Sequence, residues 1–377
     1  QPSHPILSAG ENSAQGEQMT VGVVRATADT LASDMAGLMQ LIGYEPRGDS
    51  LFIKPNVPDH GPSGQGLYTD PAVVDAFLQL WPGRTVVIGE SCIVGGDADI
   101  ALRRTGYAAV AERHGAALVN LDHADRFEVP WPHGRLKLPT YLRTHEYVNI
   151  AKMKTHIQTG VTLGMKNQKG LLSCADKKAF HRLGLNGCIR ALAEVAHPAL
   201  TIVDGIVALE GDGPWRYGRP VEMNVLVAGT NIIEVDNVCR ELMGFAPDHA
   251  PHIPERTDIE TVGLSISEAS RRFAFDYKGH LLYKNVYEHV NDSCSGCNWT
   301  LYHTFKAVKR TRWRRIKFLY RGEWRRLDVV MGHADRLPAG HGRIICVGDC
   351  ARQFAKAHRL PLARGCPPDA EDVLELL

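Results

Sequence analysis

Five of the chain's nine cysteines fall within its last 84 residues, as Cys294-Ser-Gly-Cys297, Cys346-Val-Gly-Asp-Cys350 and Gly-Cys366-Pro-Pro. A CxxC turn lets two thiolates reach one metal centre while backbone amides point at the sulfurs, and four thiolates are the usual complement of an iron–sulfur cluster. Cys346 sits inside the apolar run Ile344–Val347, whereas Cys350 follows that run in a loop. The expected ligands of a [4Fe-4S] cluster are therefore Cys294, Cys297, Cys350 and Cys366. A structural zinc would accept the same four thiolates. Zinc modules usually repeat the CxxC pair, however, and here two ligands come from single, distant positions. Cys92, Cys174, Cys188 and Cys239 lie in strand or helix neighbourhoods and read as small buried residues.

A second set of reactive side chains follows apolar, strand-like runs. Leu51–Ile53 leads into Lys54-Pro55-Asn56, Thr85–Gly89 into Glu90-Ser91, and Tyr147–Ile150 into Lys152-Met153-Lys154-Thr155-His156. Next come Lys166, Asn167 and Lys169 within Gly160–Gly170, then Lys177 and His181. Such a concentration of ammonium groups and hydrogen-bond donors suits a carboxylate or phosphate. Burial among like charges also lowers a lysine pKa toward the range useful for proton transfer. Lys54, Lys154, His156 and His181 are the expected catalytic groups. Asn56, Glu90, Lys152, Lys166, Asn167, Lys169 and Lys177 are the expected substrate-binding groups. Neither a Walker A sequence nor GxGxxG is present, so neither ATP nor a Rossmann-bound dinucleotide is indicated.

The elements that must carry these residues are legible as an alternation. Apolar runs at Thr20–Ala26, Ser50–Val57, Thr85–Ser91, Ala117–Asp122, Glu146–Met153, Leu200–Ile206 and Asn224–Thr230 read as strands. Helical patterns lie near Thr27–Ile42, Pro71–Leu80, Ala98–His114, Asn186–Ala196 and Ile233–Met243, with Asp70-Pro71 an N-cap and first-turn pair. This order predicts an α/β fold, a mainly parallel sheet with helices on both faces, in which ligands sit beyond the carboxyl ends of the strands. After Tyr283 the composition changes. The expected organisation is a tail at 1–19, an α/β substrate-binding domain at 20–284, and a small cysteine-rich α+β domain at 285–377 holding the cluster. Residues 256–284 read as a helix and a strand closing the first domain, and Asp204, Glu210 and Asp212 as loop carboxylates after a strand.

With 377 residues, 43 Lys+Arg, 42 Asp+Glu and 44% hydrophobic side chains, the composition excludes disordered, collagenous and coiled-coil classes. No stretch approaches the ~18 uninterrupted apolar residues of a membrane span, and the start lacks a leader pattern, so a soluble cytoplasmic protein is expected. Charge is unevenly spread: residues 285–377 carry 16 Lys+Arg and 10 Asp+Glu. Ten cations and one acid fall in Lys306–Arg326, with Trp313, Phe318, Tyr320 and Trp324 between them. Stacked bases and neutralised phosphates would explain that run, but no nucleic-acid fold motif accompanies it, so nucleic acid is an unlikely partner. A solvated helix with an edge hairpin, or steering of an acidic electron carrier such as a ferredoxin, are the other readings.

Phe52–Asn56, Gly89–Ser91, Asn149–His156, Thr162–Gly170, the Lys177 and His181 pair, Ile202–Ile206, Glu210–Pro214 and Glu234–Asp236 together resemble the signature of the domain of unknown function 362 family. The likeness runs over about 200 residues. It implies an iron–sulfur segment at the C-terminal cysteines, since members are often joined to one, although the repeated CxxCxxC of a bacterial ferredoxin module is lacking. The expected activity is an iron–sulfur oxidoreductase, a reductase acting on a small anionic substrate. A hydrolase or transferase acting on a phosphorylated or carboxylated substrate, with a structural zinc, is the alternative. A nucleic-acid-associated binding protein is the third reading, and a homo-oligomer is compatible with all three.

Overall fold

The computed structural model describes residues 20–215, 218–256, 258–275, 280–283, 285–311, 313 and 326–377. The readings placed on the tail and on most of the basic run fall outside them. The large sheet is formed by β1 (Thr20–Arg25), β2 (Ser50–Pro55), β3 (Thr85–Glu90), β4 (Ala117–Asn120), β7 (Glu146–His156), β8 (Gly160–Val161), β9 (Leu200–Gly211), β10 (Gly218–Gly229) and β11 (Glu260–Gly263). Its order is β11-β1-β10-β9-β7-β2-β3-β4, with β8 paired to the end of β7. Along that order β10 is the one described strand running against its neighbours. A hairpin of β5 (Arg126–Trp131) and β6 (Gly134–Pro139) stands apart from it.

Alternate side chains of these strands enter two different cores, as the twofold period of a strand requires. Phe52, Val87, Tyr147, Val203 and Val227 face one layer. Leu51, Ile53, Ile88, Val148, Ile202 and Leu226 face the other. Both faces are therefore buried, which is why these strands read as continuous apolar runs. Each fully buried side chain of this kind contributes on the order of 1.5–3 kcal/mol. The helix Pro71–Gln79 begins as its sequence implies, with the Asp70 carboxylate accepting from Ala72 N at 2.9 Å. The stretch Ala98–His114, expected as one helix, is two: Ala98–Arg104 and Tyr107–His114, separated at Gly106, whose φ of +98° no helical residue adopts.

The second sheet has the order β12-β13-β14-β15-β16, from β12 (His280–Tyr283), β13 (Val286–Asn291), β14 (Leu327–Gly332), β15 (Arg343–Val347) and β16 (Leu362–Ala363). All pairings are parallel except β12 with β13. The strand at 280–283 thus joins the second sheet, whereas the sequence suggested that it would close the first. Among the elements of residues 256–284, β11 is the one that extends the large sheet, beside β1. One face of the second sheet packs on the helices Ser295–Arg310 and Ala370–Leu376, through Leu301, Phe305 and Val373. The other packs on Arg352–His358, through Phe354 and Ala355. Among the described residues no helix is long and apolar enough to cross a membrane.

Candidate functional site

The carboxyl ends of β2, β3 and β7 meet the second sheet across a cavity of about 300 Å³. Asn56, Glu90, Lys154, His156, Lys166, Asn167, Lys169, Lys177 and His181 line it. Lys54 and Lys152, also expected here, are not among its lining residues. β7 runs to His156 rather than stopping at Met153, and β9 bulges against it between Lys152 and Lys154. Lys152 is drawn away into an ion pair with Asp204 at 2.7 Å. β9 likewise continues to Gly211, so Asp204 and Glu210 are strand residues, not loop carboxylates. Of the three suggested acids, Asp212 reaches the cavity.

Lys54 is the keystone behind the cavity floor. Its fully buried ammonium donates to Glu90 Oε2 at 2.9 Å, Pro55 O at 2.8 Å and Asn167 Oδ1 at 3.1 Å. Burial lowers its pKa and the Glu90 charge works against that shift. Glu90 also accepts from Val57 N and Ser91 N, both at 2.9 Å. Gly170 presses on this pair so closely that a Cβ there would lie 2.0 Å from Glu90 Oε1 and 2.5 Å from Lys54 Nζ. Lys177 is similarly committed, to Ser91 Oγ at 2.6 Å and to Cys92 O.

The lysines that face the cavity are less well satisfied. Lys154 donates to Asn56 Oδ1 at 2.7 Å and Leu67 O at 2.8 Å. Burial, then the neighbouring Lys152 charge, pulls its pKa down to about 7. Lys166 has no hydrogen-bond partner among the described residues, and burial followed by repulsion from Lys154 brings it to about 7 as well. Lys166 and Lys169 ride on the tight turns Gly164–Asn167 and Gln168–Leu171. The chain enters them through Leu163 at φ +35°, a strained conformation of the kind that collects at functional sites. Asp236 holds that entry by accepting from Gly164 N at 2.7 Å and Met165 N at 2.8 Å. Burial raises its carboxyl pKa to about 7 against the pull of those two amides.

Two histidines complete this wall. His156 Nδ1 accepts from Gln158 N at 3.1 Å, so the proton of its neutral ring lies on Nε2. His181 bridges the two sheets: Nδ1 donates to Asp292 O at 3.1 Å and Nε2 meets Lys169 Nζ at 3.0 Å. Burial and the adjacent lysines hold both imidazoles neutral, His181 being pulled down to about 2.

Beyond Asp292 lie the cysteines. Cys294 is the N-cap of the helix Ser295–Arg310 and Cys297 lies in its first turn. A hydrogen bond from the Cys297 thiol, opposed by burial and aided by the Gly296 and Cys297 amides, lowers Cys294 to about 6. Cys297 in turn feels the charges of Cys294, Cys350 and Cys366, so thiols from three separate segments share one neighbourhood. The Gly348 and Asp349 amides bond to Ala363 O and Gly365 O at 2.9 Å and pin the Cys350 and Cys366 loops together. Gly348, at φ +92°, is required there, because a Cβ would come within 2.6 Å of Cys297 Sγ. Lys178 donates to Cys366 O and closes the group from the first sheet's side. Cys346 is elsewhere. It lies on the opposite face of β15 beside Phe354, and burial lifts its thiol to about 11. Cys174, expected to be buried, is exposed, since it opens the helix Cys174–Leu183 just after the Ser173 cap.

Among the described residues no group of three or more His, Cys, Asp or Glu side chains is closed around a single metal ion. Tetrahedral zinc at 2.3 Å from each sulfur needs sulfurs about 3.8 Å apart. A cuboidal cluster, whose thiolates sit on different irons, accepts a wider spread. The donor set, four thiols with Lys178, Arg182 and Asp349 around them, fits either group in donor type.

The sequence reading missed the opposite wall of the cavity: Gln158, Trp215, Ser293, Trp299 and Tyr302. The signal for two of them was present, because Trp299 and Tyr302 follow the CxxC pair at helical spacing. Gln158 Nε2 donates to Ser293 O at 2.6 Å and ties β7's loop to the cysteine loop.

A mixed α/β sheet with lysines at its carboxyl edge, continued by a second parallel sheet, is the class of protein defined here. Residues 51–241, just over half of the chain, match the family described as "Domain of unknown function (DUF362)". The chain belongs to that family. It is also similar to the thylakoid-associated protein sll1697 of Synechocystis sp. (strain ATCC 27184 / PCC 6803 / Kazusa), at 27% identity over 285 residues, 72% of this chain and 85% of the relative.

Proposed function

We propose that the protein is an iron–sulfur-dependent oxidoreductase, a reductase of a small anionic substrate bound between the two sheets. One observation carries the reading. Thiols from three distant segments gather directly behind a cavity whose near wall presents Lys154, Lys166 and Lys169, and Lys169 lies close enough to Cys294 to feel its charge. Cys294, Cys297, Cys350 and Cys366 would hold a [4Fe-4S] cluster, which supplies one-electron chemistry when bound.

The chain's own residues account for the rest. Lys166, whose ammonium has no hydrogen-bond partner among the described residues, takes the anionic end of the substrate, and Lys154 adds a second charge. Asn56 and Asn167 hold the lysine ammoniums at Lys154 and Lys54 in place. His156 lines the cavity with its ring proton on Nε2, and Lys169 can give a proton to the substrate while the neutral His181 Nε2, as hydrogen-bond acceptor, holds the lysine in place. Lys54 and Lys177, locked to Glu90 and Ser91, shape the floor rather than take part in proton transfer. Electrons would come from an acidic carrier of the ferredoxin type, drawn by the basic excess of residues 285–377.

An anaerobic reductive titration tests this. Uptake of one electron per chain with bleaching of a broad visible band, absent in Cys294→Ser, is expected. A colourless chain that takes up no electrons contradicts it and favours the hydrolase or transferase reading.

A further inference from the structure

The cavity wall opposite the lysines is aromatic, and almost every neutral polar group between the two walls is already engaged within the protein. Ser91 Oγ serves Gly170 O and Lys177; Asn167 serves Lys54 and Asn149; Asn56 serves Lys154. A polyhydroxylated ligand would find few partners there. Trp299 and Tyr302 project from one face of the helix Ser295–Arg310 with ring centres 6.2 Å apart and planes inclined by 31°. Trp299 is held from behind: Gly95 leaves room for it, a Cβ there falling 3.2 Å from its Cδ1, and His303 packs edge-on at 4.6 Å. Trp215, next to Gly213 and Pro214, borders the same space.

A held indole lining the same cavity as an ammonium that has no hydrogen-bond partner among the described residues selects for a molecule that is flat at one end and anionic at the other. At about 300 Å³ the space lies at the small end of ordinary ligand pockets. Resting on the reading of this cavity as the substrate site, we infer that the substrate is a planar aromatic or conjugated carboxylate. Its anionic end meets Lys166 and its ring plane lies against Trp299. An aliphatic acid would gain apolar contact from the aromatic wall but not planar stacking, and a sugar phosphate would also leave its hydroxyls short of partners.

Anaerobic calorimetry on the full chain, with 2-naphthoate, cyclohexanecarboxylate and inorganic phosphate as probes, tests the inference. Naphthoate should bind about tenfold more tightly than cyclohexanecarboxylate, and phosphate more weakly than either. Trp299→Leu should erase that margin, Trp299→Phe should keep most of it, and Lys166→Met should weaken both carboxylates by about tenfold or more. The probe comparison on the unaltered chain stands even if a variant fails to fold. Phosphate binding as tightly as naphthoate, or equal affinity for the two carboxylates, overturns the inference. The binding measurement needs no electron transfer. A chain that binds naphthoate but takes up no electrons loses the redox reading and keeps the ligand class. A chain that is reduced but ignores naphthoate loses the ligand class alone.

Discussion

Lys54 and Cys294 are both buried reactive groups, and their surroundings differ in kind. Lys54 is met by a carboxylate, a carbonyl and an amide oxygen, so the fold itself completes its coordination. Cys294 is met by another thiol and two backbone amides, with two more cysteines and Lys178 nearby. The Lys54 floor of the large sheet is therefore a finished electrostatic frame, whereas the cysteine loops of the small sheet gather thiols around one another. Buried polar groups are normally paired within the protein. The contrast separates a region that shapes a cavity from one that, on the reading proposed above, would be completed by a cluster.

The finished frame can be broken at its tightest point. Gly170→Ala would drive a methyl group into the Lys54–Glu90 pair, and separating a buried pair costs about 3–5 kcal/mol. Urea unfolding should show a loss of that size, and a loss below 1 kcal/mol would mean the pair is not the frame's keystone. Lys166→Met should weaken binding of a carboxylate probe by about tenfold to a hundredfold without lowering stability, because its ammonium supports no described protein group and its burial disfavours the charge. Lys54→Met should do the reverse and act mainly on stability.

The pH dependence follows from the cavity-facing pair. Lys154 and Lys166 titrate near 7, below the ordinary lysine value, so both are charged at pH 6 and mostly neutral at pH 8. Around Lys154 the Glu90 charge opposes the shift while Lys152 and Lys54 reinforce it, and Lys166 faces Lys154, so the direction stays downward for both. Carboxylate affinity should fall by about tenfold from pH 6 to pH 8 for one obligatory ammonium. The same depression means that the native state binds fewer protons than the unfolded chain between pH 7 and 10, so stability should rise with pH across that window. The smallest effect belongs to Cys346. Cys346→Ala should cost about 1 kcal/mol of stability and leave the iron content unchanged, which separates the thiol on the far face of β15 from the four that converge.

Much of the frame was legible because its elements obey strong local rules. Runs such as Leu51–Ile53 and Tyr147–Ile150 are long enough and apolar enough to announce buried parallel strands, and Asp70-Pro71 announces a helix start. Cys350 was separable from Cys346 because Cys346 lies inside an apolar strand-like run and Cys350 beyond its end, where the structure has a short helical turn. The lysines were read by type and position, but not by direction. The β9 bulge that turns Lys152 toward Asp204 depends on a neighbouring strand far away in sequence. The His181 link to Asp292 spans 111 residues, and no local pattern encodes it. Trp299 became part of the site only when the second sheet was placed against the first, and the pairing of β12 with β13 is equally non-local.

The most direct measurement is the iron and acid-labile sulfide content of the full chain purified without oxygen, set beside Cys366→Ser. The account predicts close to four irons and four sulfides per chain, and a loss of most of both in the variant. Stoichiometric zinc without sulfide, or iron that survives Cys366→Ser unchanged, would contradict it.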